Sequence, residues 1–187
     1  MIRTTAVVFA ASLLLAGPGA AQSLEHKVLA TNKTSTMEKE LNEAAEAGFR
    51  FQHVMGGDSA IGGKEVIAIL SRAGVPKGRF SYKLLATSKT STMQKELQEA
   101  SDAGFNYRGQ TVFSSAFGGE EVVVILERDK DATQPSFDYK LMATSKTSTL
   151  EKELMEAGSV GYEVVGMTVG KTALGGKELV AITRKTR

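Results

Sequence analysis

Three lysines stand before three identical hydroxyl pairs: Lys33-Thr34-Ser35, Lys89-Thr90-Ser91 and Lys146-Thr147-Ser148. Each precedes an amphipathic stretch, so each marks a helix start, where unpaired N–H groups and the positive dipole end face outward. An ammonium, two hydroxyls and free amides make a cradle suited to phosphate, sulfate or a carboxylate. Two features oppose that chemistry. Glu38 and Glu151 put a carboxylate in the first turn, and the stretch lacks the glycines that let a phosphate loop wrap its ligand. The plainer reading is a capping box. Ser35, Ser91 and Ser148 would cap the helix while Glu38, Gln94 and Glu151, three residues on, reach back to the cap.

Other reactive groups are sparse. There are two histidines, His26 and His53, and neither has a visible second ligand or orienting acid. Met37, Met93, Met142, Met155 and Met167 would suit copper, but most occupy core-facing positions where methionine simply packs. Tyr82, Tyr139, Tyr162, Phe49 and Phe105 read as strand aromatics. No serine sits in a Gly-x-Ser-x-Gly elbow, and no carboxylate pair stands out for acid–base work. Asp58, in a Gly-Gly-Asp run read as part of a turn, is not repeated elsewhere.

The lysine clusters belong to a repeat. The nine-residue stretch from Lys33 to Leu41 recurs from Lys89 to Leu97 and from Lys146 to Leu154, at offsets of 56 and 57 residues. Each copy opens with a short strand (27–31, 82–87, 139–144). A helix follows with apolar positions Met37, Leu41, Ala44 and Ala45, or Met93, Leu97 and Ala100, or Leu150, Leu154 and Ala157, one stripe at helical spacing. Gly48, Gly104 and Gly161 stand where a left-handed residue would end the helix. Gly158 should weaken the third helix by ~1 kcal/mol relative to alanine. A second strand begins at Phe49, Phe105 or Tyr162. After a glycine turn comes a third, continuously apolar strand (65–70, 121–126, 178–182), which predicts burial on both faces.

The predicted fold is α+β: three tandem β-α-β-β units over residues 26–71, 82–128 and 139–187, each a three-stranded sheet of order 1-3-2 with one helix on one face. The open sheet faces need cover because a 45-residue unit is too small to stand alone comfortably. The expectation is that the units pack by those faces, in a pseudo-threefold arrangement, with oligomerisation as the competing solution. Gly161-Tyr162-Glu163-Val164-Val165 resembles the second-strand motif, Gly-Trp-Glu-Leu-Val, of a family of small bacterial β-α-β-β domains of unknown function. The resemblance implies the fold and carries over no catalytic residue.

Composition sets the class. The chain has 187 residues, 42% hydrophobic and 24% charged, with a formal charge of +2, which suits a globular protein and gives no strong field for nucleic acid. Cysteine is absent, which excludes disulfides, thiolate sites and a lipidated anchor. Residues 1–21 read as a secretory signal peptide, with Arg3 ahead of the 11-residue apolar run Ala6–Ala16 and small residues before Gln22. The expected location is the periplasm or the medium of a bacterium, with no membrane span and no cofactor. The strong features are all repeated, whereas an enzyme needs one asymmetric constellation. The expected function is therefore a non-enzymatic binding or interaction module for a protein or envelope component. The alternatives are a small-anion binder at Lys33, Thr34, Ser35 and their copies, and an enzyme of unidentified type.

Overall fold

The computed structural model describes residues 23–59, 63–114, 120–171 and 176–187; the expected signal peptide lies outside them. The order is β1 (Glu25–Thr31), α1 (Thr34–Glu46), β2 (Arg50–Ser59), β3 (Gly63–Arg72), then β4 (Phe80–Thr87), α2 (Thr90–Asp102), β5 (Asn106–Ser114), β6 (Glu120–Asp129), then β7 (Phe137–Thr144), α3 (Thr147–Ser159), β8 (Glu163–Lys171), β9 (Lys177–Thr186). The three sheets have the orders β1-β3-β2, β4-β6-β5 and β7-β9-β8. Both outer strands of each sheet run antiparallel to the central one. The α+β architecture and the 1-3-2 order are those the sequence predicts.

The helices start and stop for identifiable reasons. Thr31, Thr87 and Thr144 end their strands, and each side-chain oxygen accepts from the backbone N–H two residues on, at Lys33, Lys89 or Lys146. Those lysines are the N-cap residues, in extended conformation, and they make no side-chain cap bond. The predicted capping box is therefore wrong. The helix begins two residues early, so Ser35, Ser91 and Ser148 lie inside the first turn and Glu38 points away from the cap. At the other end Gly48, Gly104 and Gly161 take φ of 86°, 81° and 91°. Phe49 N–H reaches Ala44 O at 3.0 Å and Gly48 N–H reaches Ala45 O at 2.9 Å, a Schellman closure repeated in all three units.

Each sheet has a front face, covered by its own helix, and a back face. In the first unit Leu29, Phe51, Val66, Ala68 and Leu70 face front against Met37, Leu41, Ala44 and Ala45 of α1. Phe80, Tyr82, Phe113, Val123 and Ile125, from the back of the second unit, complete that same core. The second core joins Leu85, Met93, Leu97, Val124 and Leu126 to Phe137, Tyr139, Val180 and Ile182 from the back of the third unit. The units therefore stack front to back in a line. Among the described residues no extensive contact joins first unit to third, so the expected pseudo-threefold closure is not what forms. The third core has four buried residues, Met142, Leu150, Ala157 and Ala181, since among the described residues no further sheet packs on it.

Position in the stack decides the central strands. β6 is buried on both faces through six consecutive residues, Val122 to Glu127, as its apolar run predicts. β3 instead alternates, because its back face has no neighbour: Val66, Ala68 and Leu70 are buried while Ile69 is 40% exposed.

Glycines set how closely units approach. Gly56 and Gly57 lie within β2, not in a turn, and a Cβ at Gly56 would overlap the Val112 carbonyl of the next unit. Likewise a Cβ at Gly166 would overlap the Tyr107 hydroxyl. Gly166→Ala should therefore destabilise the protein by about 1–3 kcal/mol. Gly158→Ala, in a helix and with open space around it, should stabilise by up to ~1 kcal/mol. Urea unfolding of the two variants reads both signs.

Candidate functional site

The three lysine clusters sit on three separate helix starts spaced along the stack. Lys33, Lys89 and Lys146 are exposed, as are Ser35, Ser91 and Ser148, while Thr34 and Thr90 are half-buried and Thr147 is exposed. An open hollow of about 380 Å³ adjoins the start of α1, lined by Thr34, Ser35, Glu38, Lys83, Leu84, Leu85, Ala86 and Glu96. An anion there would meet Lys83 but also two carboxylates. His26 and His53 are exposed on the back of the first sheet. Among the described residues no group of three or more histidine or carboxylate side chains is placed to hold a metal ion. Asp58 lies on β2 and pairs in register with Lys64.

The polar residues that the structure does bring together lie at the junctions. β4 and β7 are edge strands of their sheets, and their outward N–H and C=O groups need partners. The preceding helix supplies them. Glu38 Oε2 accepts from Leu84 N–H at 2.8 Å. Asn42 clamps the Tyr82 peptide groups, donating Nδ2–H to the carbonyl and accepting the N–H, both at 2.9 Å. At the second junction Gln94 accepts from Leu141 N–H and donates to Tyr139 O, both at 2.7 Å. Gln98 clamps the next pair, donating to Phe137 O and accepting from Tyr139 N–H. Ser101 exchanges bonds with Phe137 N–H and O at 3.1 and 2.8 Å.

A second set of polar residues crosses the first junction. The Arg50 guanidinium binds the Glu127 carboxylate, its Nη2 2.8 Å from Oε1, and lies 4.4 Å from the Phe80 ring centroid. Glu127 is 5% exposed and also accepts a bond from the Tyr82 hydroxyl at 2.8 Å. That hydroxyl in turn accepts from Phe51 N–H at 2.8 Å. At the second junction the Tyr139 hydroxyl accepts from Tyr107 N–H at 2.9 Å. Glu127 holds the Arg50 pKa above its ordinary value, chiefly by the hydrogen bond. Burial, reinforced by Glu127, pushes the Tyr82 hydroxyl well above a free phenol; burial raises Tyr107 and Tyr139 in the same direction.

These contacts are scaffold, and they define what the ends of the stack lack. Among the described residues the exposed large apolar side chains are Leu24, Val28, Met55 and Ile69 in the first unit and Met155, Val160, Val164, Met167 and Val169 in the last, with none in the middle unit. At equivalent positions Phe80 and Phe137 are 4% and 7% exposed, whereas Leu24 is 54% exposed. Comparisons with family models, curated proteins and solved structures return no match. Sequence reading places most of Met37, Met93, Met142, Met155 and Met167 at core-facing positions; Met155 and Met167 are instead exposed. The available signal was the drift between copies: Asn42 and Gln98 become Met155, and Gly109 and Gly166 correspond to His53.

The raised tyrosines give a pH dependence with a definite sign. An unfolded tyrosine loses its proton near pH 10, where the buried ones keep theirs. The unfolded state then binds fewer protons, so stability should fall as pH rises from about 10 upward. Guanidinium unfolding at a series of alkaline pH values should show that slope, and Tyr82→Phe with Tyr139→Phe should flatten it while lowering stability at neutral pH.

Proposed function

We propose that this protein is a non-catalytic interaction module, working after export, whose binding surfaces are the two apolar ends of its stack. The observation that carries this is that, among the described residues, the exposed large apolar side chains are confined to the first and last units. Stacked-repeat proteins ordinarily finish with a polar outer face on each terminal unit. Here both outer faces expose several large apolar side chains, and clustered exposed apolar surface marks a protein–protein contact. The core polar groups are meanwhile committed to holding units together: Glu127 (to Arg50), Tyr82 (to Phe51 N–H), Asn42, Gln94 and Gln98 all bond across junctions. The three helix starts, with Glu38 and Glu96 beside the first, offer an anion less than the ends offer a protein.

A photo-crosslinking residue at Met167 or Val28 should capture a protein in the producing cells, and one at Lys95, exposed on the middle helix, should not. Absence of capture at both ends, with the variants folded and exported, would contradict the interaction reading.

A further inference from the structure

The two exposed ends are the two halves of a junction that the chain already makes twice. The front of the last unit is equivalent to the fronts of the first and second units, which are covered. The back of the first unit is equivalent to the backs of the second and third, which are also covered. Resting on the interaction reading above, we propose that the occupant is a second copy of this chain. The front of the last unit of one copy receives the back of the first unit of the next, giving open head-to-tail chains.

The residues that differ at the ends differ in compensating ways. Within the chain, a large aromatic on the front meets a glycine on the back. A Cβ at Gly109 would lie 3.3 Å from the Phe51 ring, and one at Gly166 would overlap Tyr107. At the ends the bulk is exchanged: Val164 stands where Phe51 and Tyr107 stand, and His53 where Gly109 and Gly166 stand. A second position behaves alike. Val112 on the second front lies 3.6 Å from a Cβ built on Gly170 of the third back. The corresponding end residues are Val169 on the front and Gly57 on the back, again a valine facing a glycine with open space before it.

The edge strand is prepared as well. β1 pairs with β3 along one side only. Val28 pairs with β3 as Leu84 pairs with β6, so its N–H faces outward where that of Leu84 does, and Leu84 N–H is accepted by Glu38. The matching side chain on α3 is Glu151, exposed and with its carboxylate available to Val28 N–H of a second copy. The amide clamp is missing, since Met155 replaces Asn42 and Gln98. Met155 is 70% exposed and would lie over Leu24, replacing hydrogen bonds with apolar burial. A contact with one such edge bond, against three at the first internal junction, is weaker than the internal ones and therefore reversible. A heterologous contact of this kind propagates unless rotation closes a ring. The three internal units run in line without closing.

The test uses the purified mature protein and two charged variants, Val164→Lys/Met167→Lys for the front and Val28→Lys/Met55→Lys for the back. All four sites are exposed, and circular dichroism checks that each variant remains folded. In sedimentation velocity, wild-type mass should rise continuously with concentration. Each variant alone should remain monomeric. Their equimolar mixture should form a complex of about twice the mass and stop there, because each partner keeps one intact end. A wild-type protein that stays monomeric at every concentration overturns the proposal, and so does a single variant that still associates with itself. Crosslinked capture of a different protein at Met167 or Val28 beside a monomeric wild type would overturn self-assembly while leaving the interaction reading standing.

Discussion

The unpaired outer edge of the first strand in each unit governs this structure. A three-stranded sheet of order 1-3-2 leaves that edge with outward N–H and C=O groups, and a buried edge without partners would cost a hydrogen bond at each group. Side chains from the preceding helix meet the requirement. Glu38 and Asn42 serve β4, and Gln94, Gln98 and Ser101 serve β7. Once the helix is tied to the next strand, the next sheet must lie with its back to the first sheet's front. The shared cores follow, with Phe51 packed among Tyr82, Phe113 and Ile125. The glycines at 56 and 166 then become necessary, and a side chain at 109 would crowd Phe51, because the sheets come that close.

This arrangement explains why the copies have diverged unevenly. The Lys-Thr-Ser-Thr-x-x-Lys-Glu-Leu stretch combines the N-terminal turn, held by Thr31, Thr87 and Thr144, with helix residues that pack inward and sideways at once. The second strands face different neighbours in each unit, so Arg50, Asn106 and Glu163 differ although they occupy one equivalent position. Arg50 serves Glu127 across the first junction, Asn106 donates to Gln134, and Glu163 binds Arg184 within its own unit.

Much of the single unit was legible in the sequence. The stripe Met37, Leu41, Ala44 fixed the helix face, Gly48 its end, and the run Val122–Leu126 the central strand, because these depend on local periodicity and backbone geometry. The junctions were not legible, for a physical reason. Glu38 three residues after Ser35 has the spacing of a local cap, yet its partner is Leu84 N–H in another unit. Spacing along a chain cannot distinguish a carboxylate turned back to its own helix from one turned out to a neighbouring strand. Gly56 and Gly166 read as turn or unremarked residues because the backbone and hydroxyl that forbid a side chain there come from the adjacent unit.

Amide hydrogen exchange compares the equivalent edge groups in one experiment. Leu84 and Leu141 N–H, held by Glu38 and Gln94, should be strongly protected, while Val28 N–H, at the same position on the uncovered β1 edge, should exchange rapidly in dilute protein. Equal protection of all three amides, or rapid exchange at Leu84 and Leu141, would contradict a stack held together by helix side chains on the next unit's edge strand.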